Sequence, residues 1–244
     1  MTSTTQTIQY ALVAIGDCKK KISISSPGSF ASFLKSSGSI SCAYLILEHI
    51  HASGGANFQA SGSEDLGDNL GWNLSPAATR NLYWVGGSGN WSDTLHWSAS
   101  SGGLGGECIP TIVDNVIVDI NSYILPLQIT INNSAICHDF TWQSAAIGNM
   151  AINSLISISG SLYFGSQLSL AINGNIYFIS NDQGETVHTS NINLNQQHIR
   201  FFGDGSWTLT DNIYNSGGDV YLIRGHLLTS SNYIKTRFFG ATSK

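Results

Sequence analysis

Short runs in which apolar and polar residues alternate recur along most of the chain. Examples are KISISS, NVIVDI, LQITIN and SWTLT, and Ser, Asn, Asp and Gly are frequent between such runs. Apolar residues two positions apart lie on one face of a β-strand, and small polar residues and glycine favour turns. The pattern therefore predicts an all-β protein of many short strands. The best helix candidate, AYLILEHIHA, lies among these runs and is interpreted as strand as well.

Two segments in the second half repeat one pattern at an offset of 14 residues: ISISGSLYFG at 156–165 and LAINGNIYFI at 170–179. A looser copy, YLIRGHLLT, follows later. We expect the corner glycines of the three copies, Gly160, Gly174 and Gly225, to supply a positive φ. Regular corners favour a β-solenoid resembling a parallel β-helix, in which apolar residues stack from coil to coil. A β-sandwich is the alternative.

Composition and charge narrow the functional classes. Charged residues make up only 10% of the 244 residues while hydrophobic residues make up 42%, which suits neither solvated helices nor a disordered chain. Arg80 is the only cation between residues 36 and 199, so we expect no nucleic-acid surface. No apolar run reaches the ~18 residues of a membrane span. The first residues, MTSTTQTIQYALVAIG, do not resemble a secretory signal.

The stretch SGSEDLGDNLGWNLSPAATRN, at 61–81, predicts a boundary, because Pro76 and small residues suit a linker or a change of direction. We therefore expect the closing part of one β unit at 1–74, a junction at 75–82 and a second unit at 83–244. The sequence places no cysteine in a CxxC pair, which argues against a zinc ribbon. Buried free thiols are the default interpretation for the four cysteines, and a Cys18–Cys42 bridge is open.

Two parts of the chain resemble repeat units of very large secreted surface proteins of gliding and related bacteria. The first part, GSISCAYLILEHIHASGGANFQASGSEDLGDNLGW, resembles the closing segment of such a unit. The residues that carry this resemblance are Gly54, Gly55, Ala56, Phe58, Asp65, Asp68, Asn69, Gly71 and Trp72. The second part, YWVGGSGNWSDTLHWS, is similar to the opening of the next unit, where a Trp-Val-Gly-Gly-x-Gly-x-Trp motif and a second Trp recur.

The resemblance extends from about Cys18 to Asn232 and includes PTIVDNVIVD, FTWQS and GSWTLTDN. It implies β-solenoid architecture, a place within a longer exported polypeptide, and neighbouring repeat units of that polypeptide as partners. It also implies an extracellular role at the cell surface, in adhesion or in building an extended stalk. The sorting domain that ends the proteins of this family has no counterpart in the chain.

Three of the six tryptophans lie in the Trp-rich stretch 83–97, on a glycine-rich backbone. Aromatic rings on an exposed loop can stack on sugars, so a carbohydrate-binding module is the alternative function. Its candidate glycan contacts are Tyr83, Trp84, Trp91 and Trp97. We favour the other interpretation, in which the glycines allow tight turns and the indole rings cover the end of a coil stack.

Acidic side chains suggest one metal. Glu64, Asp65, Asp68 and Asn69 offer the oxygen ligands that calcium takes, although their spacing is not that of an EF-hand and Asx turns use the same residues. Asp114, Asn115 and Asp119 are a weaker calcium candidate, with Asx-turn or edge-strand roles preferred. Calcium is the only cofactor that the sequence suggests.

The histidines give little indication of catalysis. His49 and His51 would share one face of a strand, but a zinc site needs further ligands. His96 and His138 lie near Asp93 and Asp139 in the sequence, and no GxSxG or HExxH motif occurs. We therefore expect a non-catalytic structural and adhesive module rather than an enzyme. A polysaccharide-active β-helix enzyme is the third possibility.

The C-terminal quarter carries a mild positive bias. Arg200, Arg224, Lys235 and Arg237 lie within it. Such a bias can attract acidic glycans or an acidic neighbouring module, although ordinary solvation is the simpler interpretation.

Overall fold

The protein is almost entirely β-structure in the computed structural model, which describes residues 4–122, 127–194 and 198–242 and the side chains of these except residue 172. Strands account for 52% of the chain, and the described residues contain no α-helix. The chain divides into two compact units, Met1–Ala78 and Thr79–Lys244, and the division falls inside the predicted junction 75–82. The predicted β-solenoid is confirmed, because coils stack in parallel and not as hairpins in a sandwich.

The first unit is a stack of coils with three faces. Its strands are β1 (Thr5–Thr7), β2 (Ile22–Ser25), β3 (Ala31–Leu34), β4 (Ser39–Ala43), β5 (Leu45–Glu48), β6 (Ile50–Ser53), β7 (Asn57–Ser61), β8 (Glu64–Asp65) and β9 (Trp72–Ser75). They form three parallel three-stranded sheets, β1-β3-β6, β4-β7-β9 and β2-β5-β8. Successive strands thus belong to successive faces, which is the connectivity of a solenoid.

The interior of the first unit is filled by the inward residues of all three faces. Leu45 and Leu47 are completely buried, and Phe58 is 1% exposed. Each side chain that is buried in this way contributes roughly 1.5–3 kcal/mol relative to an exposed position. The partly buried Trp72 packs on this cluster with its ring edge-on to Phe58.

The second unit repeats this architecture with longer coils. Its elements are β10 (Asn81–Trp84), β11 (Gly89–Asn90), a 3₁₀ helix (Thr94–His96), β12 (Trp97–Ser98), β13 (Asn115–Val118), β14 (Gln128–Ile131), β15 (Ala135–Cys137), β16 (Phe140–Trp142), β17 (Gly148–Ile152), β18 (Leu155–Ile158), β19 (Leu162–Phe164), β20 (Leu168–Ile172), β21 (Asn175–Phe178), β22 (Glu185–His188), β23 (His198–Leu209), β24 (Ile213–Leu228) and β25 (Ile234–Ala241).

Two sheets hold the coils of the second unit together. A four-stranded sheet has the order β11-β14-β17-β20, and a 12-stranded sheet runs β12-β10-β13-β16-β19-β22-β23-β21-β18-β15, with β24 on β23 and β25 on β24. The large sheet contains two faces of the solenoid, since β23 pairs with β22 near its end and with β21 near its start. Every strand pair of this unit is parallel except that of β10 with β12.

In-register ladders of apolar side chains form the core of the second unit. On one face the ladder consists of Leu82, Val116, Phe140, Leu162, Val187 and Leu209, all 0–1% exposed. On another face, Ile156, Ile176, Ile199 and Val220 pair in the same way. Each side chain rests on those of the neighbouring coils, so a single coil has no interior of its own.

The register of the coils differs from the 14-residue repeat in the sequence. Ile156 pairs with Ile176, twenty positions later, whereas Leu170, its counterpart in the sequence repeat, pairs with Met150 on another face. The two similar segments therefore belong to different corners of the solenoid. The segments are similar because each corner joins two short strands. Their offset of 14 residues is shorter than the 20 residues that separate paired positions here.

The corner glycines were predicted to adopt a positive φ, and this prediction is wrong for two of the three. Gly225 has φ +82°, but Gly160 and Gly174 lie outside the left-handed region. They are glycines because the preceding coil is too close for a side chain. A Cβ atom at Gly174 would lie 1.8 Å from the carbonyl oxygen of Ser154, and one at Gly160 would lie 2.2 Å from Oδ1 of Asp139.

We expect Gly174→Ala to destabilise the second unit by about 1–3 kcal/mol, because the new methyl group must push two coils apart. Chemical denaturation monitored by circular dichroism measures this change. Asn173→Ala is the matched control, since the neighbouring Asn173 side chain is exposed and its loss leaves the coil spacing intact. Equal unfolding midpoints for the two variants would show that Gly174 is not a contact point between coils.

Candidate functional site

The tryptophans of the 83–97 stretch form a buried cluster at the first coil of the second unit. Trp84 and Trp97 are completely buried and Trp91 is 3% exposed. Their rings meet edge to face, with centroids 5.1 Å apart for Trp84 and Trp97 and 4.8 Å apart for Trp91 and Trp97. Trp97 belongs to β12, the antiparallel strand at the end of the large sheet. The cluster thus covers one end of the core, as the preferred interpretation predicted.

Local hydrogen bonds and glycines hold this cluster in place. Trp84 donates its indole N–H to the carbonyl of Gly87 at 2.7 Å, and Trp97 donates to the carbonyl of Trp91 at 2.8 Å. Gly86 and Gly87 have φ values of +79° and +78°, which residues with a side chain rarely adopt. The glycines therefore allow the tight turn that brings the carbonyl of Gly87 to the indole of Trp84.

This burial bears on the candidate glycan contacts. The rings of Trp84, Trp91 and Trp97 face the core, so none of them presents a flat face to a sugar. Tyr83 is partly exposed on the outer side of β10. Of the four candidate contacts in the Trp-rich stretch, Tyr83 is the one whose side chain a ligand can reach.

The acidic residues proposed for calcium have protein partners in the first unit. Lys21 forms an ion pair with Glu64, and Asp68 lies 3.3 Å from Nε2 of His49. Asp65 accepts a hydrogen bond from the backbone N–H of Gly67 at 2.8 Å, which is an Asx turn. A calcium role for these residues stays a prediction.

Asn69 has a structural role that its position in the sequence does not reveal. Its side-chain oxygen accepts from the backbone N–H of Ile50, and its amide donates to the carbonyl of Leu47, both at 2.9 Å. The amide also donates to Asp65. Asn69 thus satisfies backbone groups of the neighbouring coil where the chain turns from β5 to β6.

In the second calcium candidate, Asp114 forms an ion pair with Arg80. Asp114 is completely buried and receives two hydrogen bonds of 2.8 Å from the guanidinium of Arg80, besides two from Thr111. Burial favours a raised pKa for Asp114, but the Arg80 and Thr111 hydrogen bonds outweigh it and hold the pKa below its usual value. Asp119 forms the expected Asx turn, accepting from the N–H of Asn121 at 2.9 Å.

The prediction that His49 and His51 share one face of a strand is wrong. His49 has φ +57° and lies at the corner between β5 and β6, so the alternation of a strand does not relate it to His51. His49 faces Asp68, whereas His51 stacks on Phe30 with ring centroids 4.1 Å apart. The two side chains thus have separate environments.

His96 is not paired with the nearby acid. Its ring stacks on Trp84 at 4.7 Å, and Nδ1 lies 2.8 Å from the carbonyl oxygen of Val85. Asp93 instead accepts from the N–H of Leu95 and begins the 3₁₀ helix. His96 thus belongs to the packing of the tryptophan cluster.

His138 lies 3.2 Å from Asp139, as its sequence position suggested. It also shares a cluster with Asp182 and Glu185, whose potential ligand atoms lie within 4.8 Å of one another. Glu185 accepts hydrogen bonds from the hydroxyls of Ser161 and Ser180, at 2.6 and 3.4 Å. Sequence analysis missed Asp182 and Glu185, because the coil register and not a sequence motif brings them to His138.

The free thiols are Cys42 and Cys137, both buried. Burial is the main reason why the pKa of each thiol is raised. Both thiols therefore stay protonated and unreactive. Because Cys42 is free, the Cys18–Cys42 bridge is not formed. The expectation that all four cysteines are free thiols is wrong for Cys18 and Cys108, neither of which is a free thiol.

One candidate binding site is a groove of about 610 Å³ on the outer surface of β21, β23 and β24. We call it the Tyr–Arg groove. Its lining residues are Tyr177, Arg200, Phe202, Tyr221, Ile223 and Thr242. Tyr177, Arg200 and Tyr221 are register partners on three adjacent strands, so their side chains form one outward ladder.

Arg200 is the centre of this ladder. Its guanidinium carbon lies 5.2 Å from the ring centroid of Tyr177 and 5.7 Å from that of Tyr221, so it is placed between two aromatic rings. Nη1 donates to the hydroxyl of Tyr177 at 2.9 Å. Tyr221 in turn donates to Asp219 at 3.4 Å. Among the described residues no carboxylate lies within ion-pair distance of Arg200.

The neighbouring arginines differ from Arg200 in this respect. Arg237 donates two hydrogen bonds of 2.8 Å to Asp219. These bonds are the main reason why the pKa of Asp219 is lowered. Arg224 lies 3.6 Å from Asp204 and 4.9 Å from the centre of the Phe202 ring. Among the described residues the positive bias of the C-terminal quarter is therefore neutralised at these two arginines and remains at Arg200 and at Lys235, which lies outside the groove.

Comparison of the chain with protein-family models, curated proteins and solved structures gave no significant match. Among the described residues, no helix is sufficiently long and apolar to cross a membrane.

We expect Trp97→Ala to destabilise the second unit by about 3–5 kcal/mol, because it leaves a cavity against Trp84 and Trp91 and removes one indole hydrogen bond. Leu95→Ala is the matched control from the same turn, since Leu95 is 69% exposed and its loss should cost less than about 0.5 kcal/mol. Denaturant unfolding followed by tryptophan fluorescence measures both variants. A Trp97→Ala protein with the stability of the Leu95→Ala protein would contradict the proposed closure of the core.

Proposed function

We propose that the chain is a non-catalytic structural and adhesive module of a large extracellular surface protein. The observation that carries this proposal is the Tyr–Arg groove, in which an exposed guanidinium without a carboxylate partner among the described residues is held between two aromatic rings. An arginine held between aromatic rings on a rigid sheet loses little conformational freedom when a ligand binds. The stacked coils supply the rigidity, since the register places Arg200 between Tyr177 and Tyr221.

The resemblance to repeat units of secreted bacterial surface proteins supports the same function. The Trp-Val-Gly-Gly motif, Trp84 to Gly87, lies where the second unit begins, and the compact units divide at the predicted junction. An opening motif of a tandem unit has to close the end of a core, and the tryptophan cluster does so. The proposal includes neighbouring units of the same polypeptide as partners, and surface glycans as the adhesive target.

The carbohydrate-binding alternative thus becomes part of the adhesive proposal, at a different place. The buried rings of the Trp-rich stretch leave only Tyr83 accessible there, whereas the Tyr–Arg groove combines exposed aromatic surface with a positive charge. Adhesion requires binding without turnover, and the groove suits it because its lining residues include no carboxylate or histidine that could act as a general acid or base.

A second candidate function, polysaccharide hydrolysis, is favoured by one observation. Asp182, Glu185 and His138 lie together, and Asp139 beside His138 lines a shallow groove with Ser161 and Tyr163. Two carboxyl groups close to a sugar-sized groove are the usual requirement for glycoside hydrolysis. Hydrogen bonds from two serines to Glu185 support a structural role for it instead, so we place this function second.

We expect the full chain to be retained by at least one immobilised polysaccharide in a panel of acidic and neutral polymers, without release of new reducing ends. Co-sedimentation measures retention, and a reducing-sugar assay on the same samples measures cleavage. Glu185→Gln serves as the control, since a non-catalytic module binds equally well with or without this carboxylate. Absence of retention on every polymer would contradict the adhesive proposal, and reducing ends released by the unaltered chain but not by Glu185→Gln would establish hydrolysis instead.

A further inference from the structure

The Tyr–Arg groove has the chemistry of a site for an anionic ligand. Around it, Arg224 faces Asp204 and Arg237 faces Asp219, so two positive charges have negative partners. Arg200 has none among the described residues and is the local excess of positive charge. A guanidinium has five N–H donors, and in the described part of the chain the one hydrogen-bond acceptor of Arg200 is the hydroxyl of Tyr177. Its remaining donors are available to a ligand.

The surroundings of Arg200 strengthen its interaction with an anion. The rings of Tyr177 and Tyr221 lie on either side of the guanidinium, 5.2 and 5.7 Å from its carbon atom, and restrict its movement. A fixed guanidinium edge matches the two oxygens of a carboxylate, and such bidentate pairs are stronger than ordinary hydrogen bonds. The pair also loses less side-chain entropy on binding than one made by an unsupported surface arginine.

The rest of the groove is apolar and lies close to this charge. Phe202 is 48% exposed, and Ile223 is partly exposed on the next strand. Thr242 adds one polar residue to the lining of the groove. A ligand that suits this groove therefore carries an anionic group directly on a compact body with an apolar C–H face.

A sugar acid meets this description better than an acidic peptide. In a sugar acid the carboxylate is attached to the ring, whose C–H face can lie on Phe202 and Ile223. An extended peptide binds sheets through the unpaired backbone groups of an edge strand. The groove lies on the face of β21, β23 and β24, where the strands are paired with one another and offer no such edge.

We propose that the Tyr–Arg groove binds an acidic polysaccharide through its uronic-acid residues, with one carboxylate on the guanidinium of Arg200 and the sugar ring on Phe202 and Ile223. This inference names the target class of the adhesive function and rests on it. Tyr177 and Tyr221 act as positioning residues, because they hold Arg200 and keep its outer edge open.

We expect the full chain to bind a linear tetrasaccharide of uronic acid, measured by isothermal titration calorimetry, and not to bind the same tetrasaccharide after reduction of its carboxyl groups. Arg200→Gln should weaken binding about tenfold or more, because the bidentate pair is lost. Tyr177→Phe keeps the ring but removes the hydroxyl acceptor, and should weaken binding about two- to threefold. It provides a second, milder test of the same site.

Lys235→Gln is the matched control for charge. Lys235 is exposed and lies on another face of the solenoid, in register with Tyr214, so its loss lowers the net charge equally without changing the groove. Its affinity should equal that of the unaltered chain. Circular dichroism and the unfolding midpoint of each variant show that the fold is retained.

Three results would overturn this inference. Undiminished affinity of a folded Arg200→Gln protein would remove the groove as the site. A polyglutamate peptide or a sulfated oligosaccharide that binds Arg200 more tightly than the uronide would change the ligand class. Failure of the tetrasaccharide to bind, with retention on neutral polysaccharides intact, would refute the uronic-acid target and leave the adhesive function standing.

Discussion

The whole structure depends on the stacking of apolar side chains in register between parallel coils. The ladder from Leu82 to Leu209 shows the principle, because each of its members packs on its register partners in the neighbouring coils. No coil has a second layer of its own to pack against, so the free energy of burial is shared by the stack. This explains why a chain with 10% charged residues keeps a defined fold, since its specificity comes from steric fit between coils.

The same constraint produces the surface on which function is proposed. When inward residues stack in register, the outward residues between them do so as well, and this places Arg200 between Tyr177 and Tyr221. It also brings Asp182 and Glu185 to His138 from a later coil. The ends of the stack need other side chains to cover them, because a terminal coil has a neighbouring coil on one side only. In the second unit the three tryptophans of the 83–97 stretch provide that closure at the first coil.

Alternation of apolar and polar residues was sufficient to predict the strands, since inward positions are apolar whatever their partners. The solenoid was favoured over a β-sandwich by the repeated corners of small polar residues and glycine. The pairing between coils was beyond the sequence. The 14-residue repeat relates Ile156 to Leu170, whereas the structure pairs Ile156 with Ile176, because coils of unequal corners share no fixed period. His49 was misassigned for a similar reason: its positive φ belongs to a corner that the run YLILEHI conceals.

The candidate site illustrates the same limit. Tyr177, Arg200 and Tyr221 are separated by more than twenty residues each, and only the register makes them neighbours. The tryptophans were visible at once, but their role depended on burial, which the sequence left open between a core and a sugar platform. Asn69 was visible as an oxygen ligand, yet it bonds the backbone of the next coil.

The most direct test of the stacked coils is a pair of engineered cysteines on the exposed surface of β17 and β20. Asn149 and Ser169 are register partners on adjacent parallel strands, where Cα atoms lie about 5 Å apart and within reach of a disulfide. We expect Asn149→Cys with Ser169→Cys to form an intramolecular disulfide under mild oxidation, detected by mass spectrometry of proteolytic fragments. Asn149→Cys with Tyr163→Cys, which follows the 14-residue spacing, should form none. Cross-linking of the second pair in place of the first would contradict the parallel stack.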